Sequence, residues 1–268
     1  MEQKKKMTYW GVGAVVLALA AICLCLFLGT KEPVESFGDA ESVTFTVSYG
    51  SACGETFSDE SEEEEFSLPE ELLKLLARNP ETEEFVKRYP YLKDEPPVCL
   101  LEEEAQGDTV PLLMQWDTRW GYMTYGDGMM GLTGCGPTCL SMVCLYLLRD
   151  PSLTPAAIAN FSISAGYCVP GSGSAWALIF GGGASLGLTV TELPLSESAV
   201  KRSLEAGYPV ICVMGPGDFT TTGHFIVLTE YRDGMVKVND PNSYANSEQL
   251  WSFEQISGQI KNLWECRA

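Results

Sequence analysis

Gly134-Cys135-Gly136-Pro137-Thr138-Cys139-Leu140-Ser141-Met142-Val143-Cys144-Leu145-Tyr146-Leu147-Leu148 is the stretch on which the fold turns. From Cys139 onward it is apolar on every side, which predicts a helix buried all round at the centre of a domain. Pro137 suits the first turn, where a missing backbone N–H is no loss. Cys135 then stands at the helix start. Free N–H groups and the positive dipole end favour a thiolate there, and such settings lower a cysteine pKa into roughly the 3.5–7.5 range. An arbitrary cysteine is only a small buried residue, and Cys139 and Cys144 read that way.

Downstream, Gly223-His224-Phe225-Ile226-Val227-Leu228-Thr229-Glu230-Tyr231 predicts a buried strand, and Met235-Val236-Lys237-Val238-Asn239-Asp240-Pro241 its antiparallel return after a turn at Arg232-Asp233-Gly234. Parity ties the turn to the chemistry. A two-residue loop at Asp233-Gly234 pairs Asp240 with Val227, on the face opposite His224. A three-residue loop, with Gly234 left-handed in a bulge, pairs Asp240 with Ile226 and sets it diagonally beside His224. The second is the expectation. Asp240 then accepts from one ring nitrogen while the other faces Cys135. A lone strand histidine is usually structural and an Asp before Pro usually a turn residue; their coincidence with a helix-start cysteine favours catalysis.

Upstream, Met114-Gln115-Trp116-Asp117 precedes an aromatic, Gly-rich loop from Trp120 to Gly134. A side-chain amide from Gln115, joined by the Cys135 backbone N–H, would bind the negative oxygen of a tetrahedral intermediate. Trp116, Trp176 and Phe219 are candidate substrate-groove residues, although core packing is the ordinary role of such aromatics. The segment Met214 to Thr222 reads as a Gly-rich lip leading into His224.

Composition bounds the function. The chain has 268 residues, 46% hydrophobic and 20% charged, with 36 acids against 17 bases and a net charge of −19. That excludes wholesale disorder, and it argues against nucleic acid, whose phosphates such a body repels. No phosphate loop is present, so no nucleotide is expected. One histidine, and ten cysteines without a Cys-x-x-Cys pair, leave no expected metal site and no cofactor. Cys53, Cys99, Cys168, Cys212 and Cys266 are disulfide candidates with no pairing readable.

The outer parts divide by composition. Residues 1–8 form a basic tail, and residues 9–28 an uncharged segment that at 1.5 Å per residue reaches about 30 Å, one hydrocarbon core. Lysines before it and acids after it predict a single-pass anchor in the cell membrane with a cytoplasmic N-terminus and an extracytoplasmic catalytic domain. A cleaved signal peptide is the rival reading, with Ala18-Leu19-Ala20 as a poor site. Residues 29–66, including the acidic run Asp59 to Glu65, read as a solvated linker. Residues 67–98 predict a helical lead-in: Ser67-Leu68-Pro69-Glu70 has capping-box form, Asn79-Pro80-Glu81 starts a second helix, and Pro90, Pro96 and Pro97 end the helical stretch. Residues 111–268 are the expected catalytic core.

Four ordered motifs carry a resemblance: Gln115-Trp116-Asp117-x-Arg119-Trp120-Gly121, Gly134-Cys135-Gly136-Pro137-Thr138, Gly223-His224-Phe225-Ile226-Val227 and Asn239-Asp240-Pro241. From about Pro111 to Trp264 the chain resembles cysteine peptidase family thirty-nine, named for proteases that trim double-glycine leaders from bacteriocin precursors. The resemblance implies an α+β, papain-like fold in which a central helix carrying Cys135 packs on an antiparallel sheet carrying His224 and Asp240. It implies Cys135 as nucleophile, His224 as general base, Asp240 as orienting residue and Gln115 as oxyanion donor. Leader-cleaving members usually carry the glutamine a few residues before the cysteine and are fused to an export transporter. Here twenty positions separate Gln115 from Cys135, a longer spacing of the kind the stand-alone branch shows. The reading is a thiol protease or related hydrolase acting on a peptide or peptidoglycan-type substrate. The alternatives are a non-catalytic peptide- or wall-binding domain and a cell-wall amidase.

Overall fold

A computed structural model describes residues 67–268, and the expected membrane segment, tail and linker lie outside these. Among the described residues no helix is long and apolar enough to cross a membrane. The α-helices of five or more residues are α1 (Glu70–Arg78), α2 (Glu83–Leu92), α3 (Glu102–Gln106), α4 (Cys135–Leu148), α5 (Pro155–Ser164), α6 (Glu197–Glu205), α7 (Tyr244–Glu248) and α8 (Phe253–Ser257). The main sheet contains β1 (Thr189–Glu192), β2 (Val210–Met214), β3 (His224–Arg232), β4 (Met235–Asn239), β5 (Leu250–Ser252) and β6 (Ile260–Arg267). Its order is β1-β6-β2-β3-β4-β5, antiparallel throughout. The architecture is α+β.

Helix α4 is buried at every position from Gly136 to Leu145, as its lack of a polar face requires. It ends at Arg149, which takes the left-handed conformation, just ahead of Pro151. The period-2 alternation of the strands sorts side chains between two cores. Ile211, Val213, Phe225 and Val227 join the α4 and α5 side, with Trp264 and Cys266. Cys212, Met214, Ile226 and Leu228 join Val200 and Leu204 of α6 on the other. Each fully enclosed Leu, Ile or Met in these layers contributes about 1.5–3 kcal/mol relative to an exposed position.

The β3–β4 turn departs from expectation. The loop has two residues, Asp233 and Gly234, both left-handed at φ 50° and 82°, and Arg232 pairs with Met235. Two positive φ values give a primed turn whose twist matches the strands, and Asp tolerates the conformation better than most residues. The register then shifts between Leu228 and Glu230, leaving Thr229 as an extra residue, so that Val227 faces Asn239. One step further, Asp240 comes level with Ile226. A bulge inside the strand supplies the offset that the turn does not.

The lead-in also differs in detail. No side-chain cap forms at Ser67: Pro69 takes the cap position, and its carbonyl accepts from Leu72 and Leu73 N–H at 3.0 and 3.3 Å. Pro90 lies inside α2, which runs on to Leu92, so this proline does not end the helix as expected. Leu72, Leu75, Phe85 and Val86 form a satellite core with Met114, Trp116, Tyr122 and Met129. Phe85 stacks on Tyr122 at 4.4 Å between ring centroids, and the Tyr122 hydroxyl donates to Phe85 O at 2.7 Å.

Candidate active site

Cys135 opens α4 and is partly accessible, whereas the helix behind it is closed off. Gly136 lets the small ladder Cys168–Val169/Gly173–Ser174 approach this end: a Cβ at 136 would lie 2.5 Å from Ser174 Oγ. Tyr125 fixes the same ladder by hydrogen bonds to Ser162 and Ser174 hydroxyls at 2.8 and 2.7 Å. With no side chain at 136, the sulfur receives backbone N–H groups from Gly136 and from Phe225 on β3.

His224 begins β3 and is 8% exposed; Asp240 follows β4 and is 1% exposed. Their Nε2 and Oδ1 atoms lie 2.7 Å apart. The other ring nitrogen, Nδ1, is not engaged by Asp240, and the imidazole and the Cys135 thiol act on each other's pKa. Enclosure alone pushes the Cys135 pKa up, but the hydrogen bond and charge of His224 and the two backbone N–H groups outweigh it, leaving the thiol below its ordinary value. Burial likewise disfavours the charged imidazole, yet Asp240 and Cys135 raise its pKa. The two shifts run in the direction that favours a thiolate–imidazolium pair.

Asp240 has a polar socket of its own. Oδ1 also accepts from Asn242 N–H at 2.8 Å, and Oδ2 accepts from Asn246 Nδ2 at 2.8 Å. The Asp240 N–H donates to Ser247 Oγ at 2.9 Å. Asn246 escaped the sequence reading. Its signal is Ser243, which caps α7 by accepting from Asn246 N–H at 3.1 Å and so predicts a helical turn behind Asp240.

Gln115 is 4% exposed, and its N–H donates to Pro241 O at 2.7 Å, which ties it to the Asp240 loop. Its Nε2 donates to Gly131 O at 3.0 Å, and its Oε1 is buried without a hydrogen-bond partner. Of the groove candidates, Trp176 presents an exposed ring, edge-on to Trp264 at 6.3 Å. Trp116 is buried, with Nε1 donating to Asn242 O at 3.1 Å, and Phe219 is buried against Trp251 at 4.6 Å. The segment before His224 is tethered: Asp218 Oδ2 accepts from Gln255 and Gln259 amides at 3.0 and 2.7 Å. Cys99, Cys168, Cys212 and Cys266 are free thiols, and Cys53 lies outside the described residues.

The chain is similar to known proteins over the region that holds these residues. The family described as Peptidase_C39 like matches residues 108–267, more than half of the chain. The chain belongs to this C39-like peptidase family. The α+β arrangement fits the papain-like fold. Among solved structures, a protein described as a C39-like peptidase from Bacillus anthracis is similar, at 17% identity and a TM-score of 0.41, over 63% of this chain and 97% of its own. The peptidase domain of Streptococcus ComA, a bifunctional ABC transporter involved in quorum sensing, is similar at 16% identity and a TM-score of 0.39, over 50% of this chain and 89% of its own. No curated protein matches.

Proposed function

We propose that this C39-like peptidase domain hydrolyses a peptide or amide bond, tethered by residues 9–28 to a membrane whose outer side it faces. The observation that carries the reading is His224, 2.7 Å from Asp240 and close enough to Cys135 to lower the thiol pKa. The Cys135 thiolate attacks the carbonyl carbon and forms a C–S bond. Negative charge passes to the carbonyl oxygen, where Gln115 and the Cys135 N–H are the proposed donors. His224 gives its proton to the departing amine as the C–N bond breaks, leaving a thioester and a neutral imidazole. His224 then takes a proton from water, the hydroxide attacks, and the C–S bond breaks to regenerate thiolate and imidazolium. Asp240 keeps Nε2 occupied, so that the proton traffic runs through Nδ1.

The test has two stages. An electrophilic thiol probe should label Cys135 selectively, with labelling lost in His224→Ala; labelling indifferent to that substitution favours a binding domain that does not cut. The region from Ser67 onward, incubated with peptide and peptidoglycan-fragment libraries, should then release new amino termini. Products from cross-linked wall peptides alone would favour the amidase reading, and turnover that survives Cys135→Ala would remove the cysteine mechanism altogether.

A further inference from the structure

The lead-in helices reach the catalytic carboxylate through an unbroken set of hydrogen bonds. Glu81, in the 3₁₀ turn Pro80–Thr82 between α1 and α2, accepts from three donors at the start of α7. These are Tyr244 N–H at 2.6 Å, Ala245 N–H at 3.1 Å and the Ser243 hydroxyl at 3.1 Å. Asn79, two residues earlier, donates from Nδ2 to Asn242 O at 2.7 Å. The same carbonyl accepts the Trp116 indole N–H. Every residue so held either touches Asp240 or adjoins one that does: Asn242 gives its N–H to Oδ1, and Asn246 on α7 gives its amide to Oδ2. The clamp itself lies outside residues 108–267, the stretch that matches the family.

Free N–H groups at a helix start need acceptors, and a carboxylate there also meets the positive end of the backbone dipole. A five-residue helix such as α7 has little stability of its own. Its N-terminal cap therefore decides where Asn246 stands, and Asn246 with Asn242 decides where the Asp240 carboxylate points. Asn79 has a local duty too, accepting from Glu81 N–H at 3.1 Å, which orients the turn that presents Glu81. Sequence separation makes the link unexpected: 162 residues divide Glu81 from Ser243.

The geometry points to Glu81, supported by Asn79, as a positioning residue of the active site: the lead-in helices are a brace that holds Asp240 against His224 through the first turn of α7. This rests on the proposed Cys135–His224 chemistry. The titratable groups facing Asp240 are His224 on β3 and Cys139 on α4, with Cys135 reached through His224. When Asp240 loosens, the imidazolium loses its partner and the thiolate in turn loses its counter-charge.

The deciding measurement is the rate of Cys135 alkylation by iodoacetamide as a function of pH, on the full chain, for wild type, Glu81→Ala, Leu72→Ala and His224→Ala. Leu72 is fully buried in the lead-in core and does not join the clamp, so its truncation destabilises the same helices without releasing α7. Thermal melts fix a temperature at which all variants are folded. In Glu81→Ala the acid limb should move up by about 0.5–1 pH unit, with the neutral-pH rate about threefold to tenfold lower. Leu72→Ala should lower the melting temperature and keep the wild-type pH profile. A Glu81→Ala profile that superposes on wild type, or a Leu72→Ala profile shifted equally, overturns the brace. A wild-type rate indifferent to His224→Ala overturns the catalytic reading beneath it, a distinct result.

Discussion

Cys135 and Cys139 sit one turn apart on the same helix with the same thiol, and their surroundings drive them in opposite directions. Cys139 is fully buried, and enclosure, followed by the nearby charges of Cys135 and Asp240, pushes its pKa well above the ordinary value. Cys135 suffers the same enclosure, yet His224 and two backbone N–H groups more than offset it. Helix position supplies free N–H groups only in the first turn, since every later N–H is spent on a carbonyl four residues back. The counter-charge comes from another strand altogether. A helix N-terminus is thus necessary here but leaves the sulfur half-prepared until β3 delivers the imidazole.

Substitutions can break that contrast. The largest effect is expected for Cys135→Ala, which should abolish probe labelling at this position and all hydrolysis, with circular dichroism confirming that the fold persists. His224→Ala should reduce hydrolysis by about 10²–10⁴ and raise the Cys135 pKa, since enclosure then works against less opposition, as read by alkylation across pH. Gln115→Ala separates two kinds of reaction. Removing an oxyanion donor lowers turnover by about 10²–10³, but alkylation by iodoacetamide develops no oxyanion and should keep its rate. An equal fall in both rates would mean that the Gln115 substitution disturbs the pair itself.

The pH dependence sharpens the contrast further. Hydrolysis should form a plateau whose acid edge lies below the ordinary thiol value of 9.0 and whose alkaline edge approaches about 10. Below the acid edge the thiolate is protonated; above the alkaline edge the imidazolium is lost. In stability terms, raised His224 contributes fully below its ordinary 6.5, and that contribution declines as pH rises toward about 10. Lowered Cys135 contributes above its ordinary value, and that share is lost as pH falls through the folded-state value. Denaturant melts across pH should therefore lose this difference in a Cys135→Ala, His224→Ala double variant. The smallest effect is Cys139→Ala: about 1 kcal/mol of stability from a small cavity, with the alkylation profile of Cys135 unchanged.

Some of this was legible because the signals are local. The long apolar run after Gly134 read as a buried helix, and the continuous β-rich run after His224 read as a buried strand. Register was harder. The level of Asp240 came out as expected while its cause did not, since a turn plus one bulge and a longer turn without a bulge give the same offset. Thr229 as the extra residue, with its neighbours paired on either side, is a choice made by sheet twist, and nothing in Leu228-Thr229-Glu230 announces it.

The socket of Asp240 divides the same way. Ser243 before a short polar helix is a readable cap, whereas Asn79 and Glu81 looked like the ordinary opening of a helix in a separate lead-in. What the sequence alone determined is therefore the set of elements and the residue types at their ends: a helix that begins with a thiol, a strand that begins with an imidazole, and a carboxylate just past the next strand. Which groups face one another was decided only by packing. Helix starts, strand ends and loops leave their polar groups unpaired, and the partners that satisfy them arrive from distant parts of the chain, where no local pattern can foretell them.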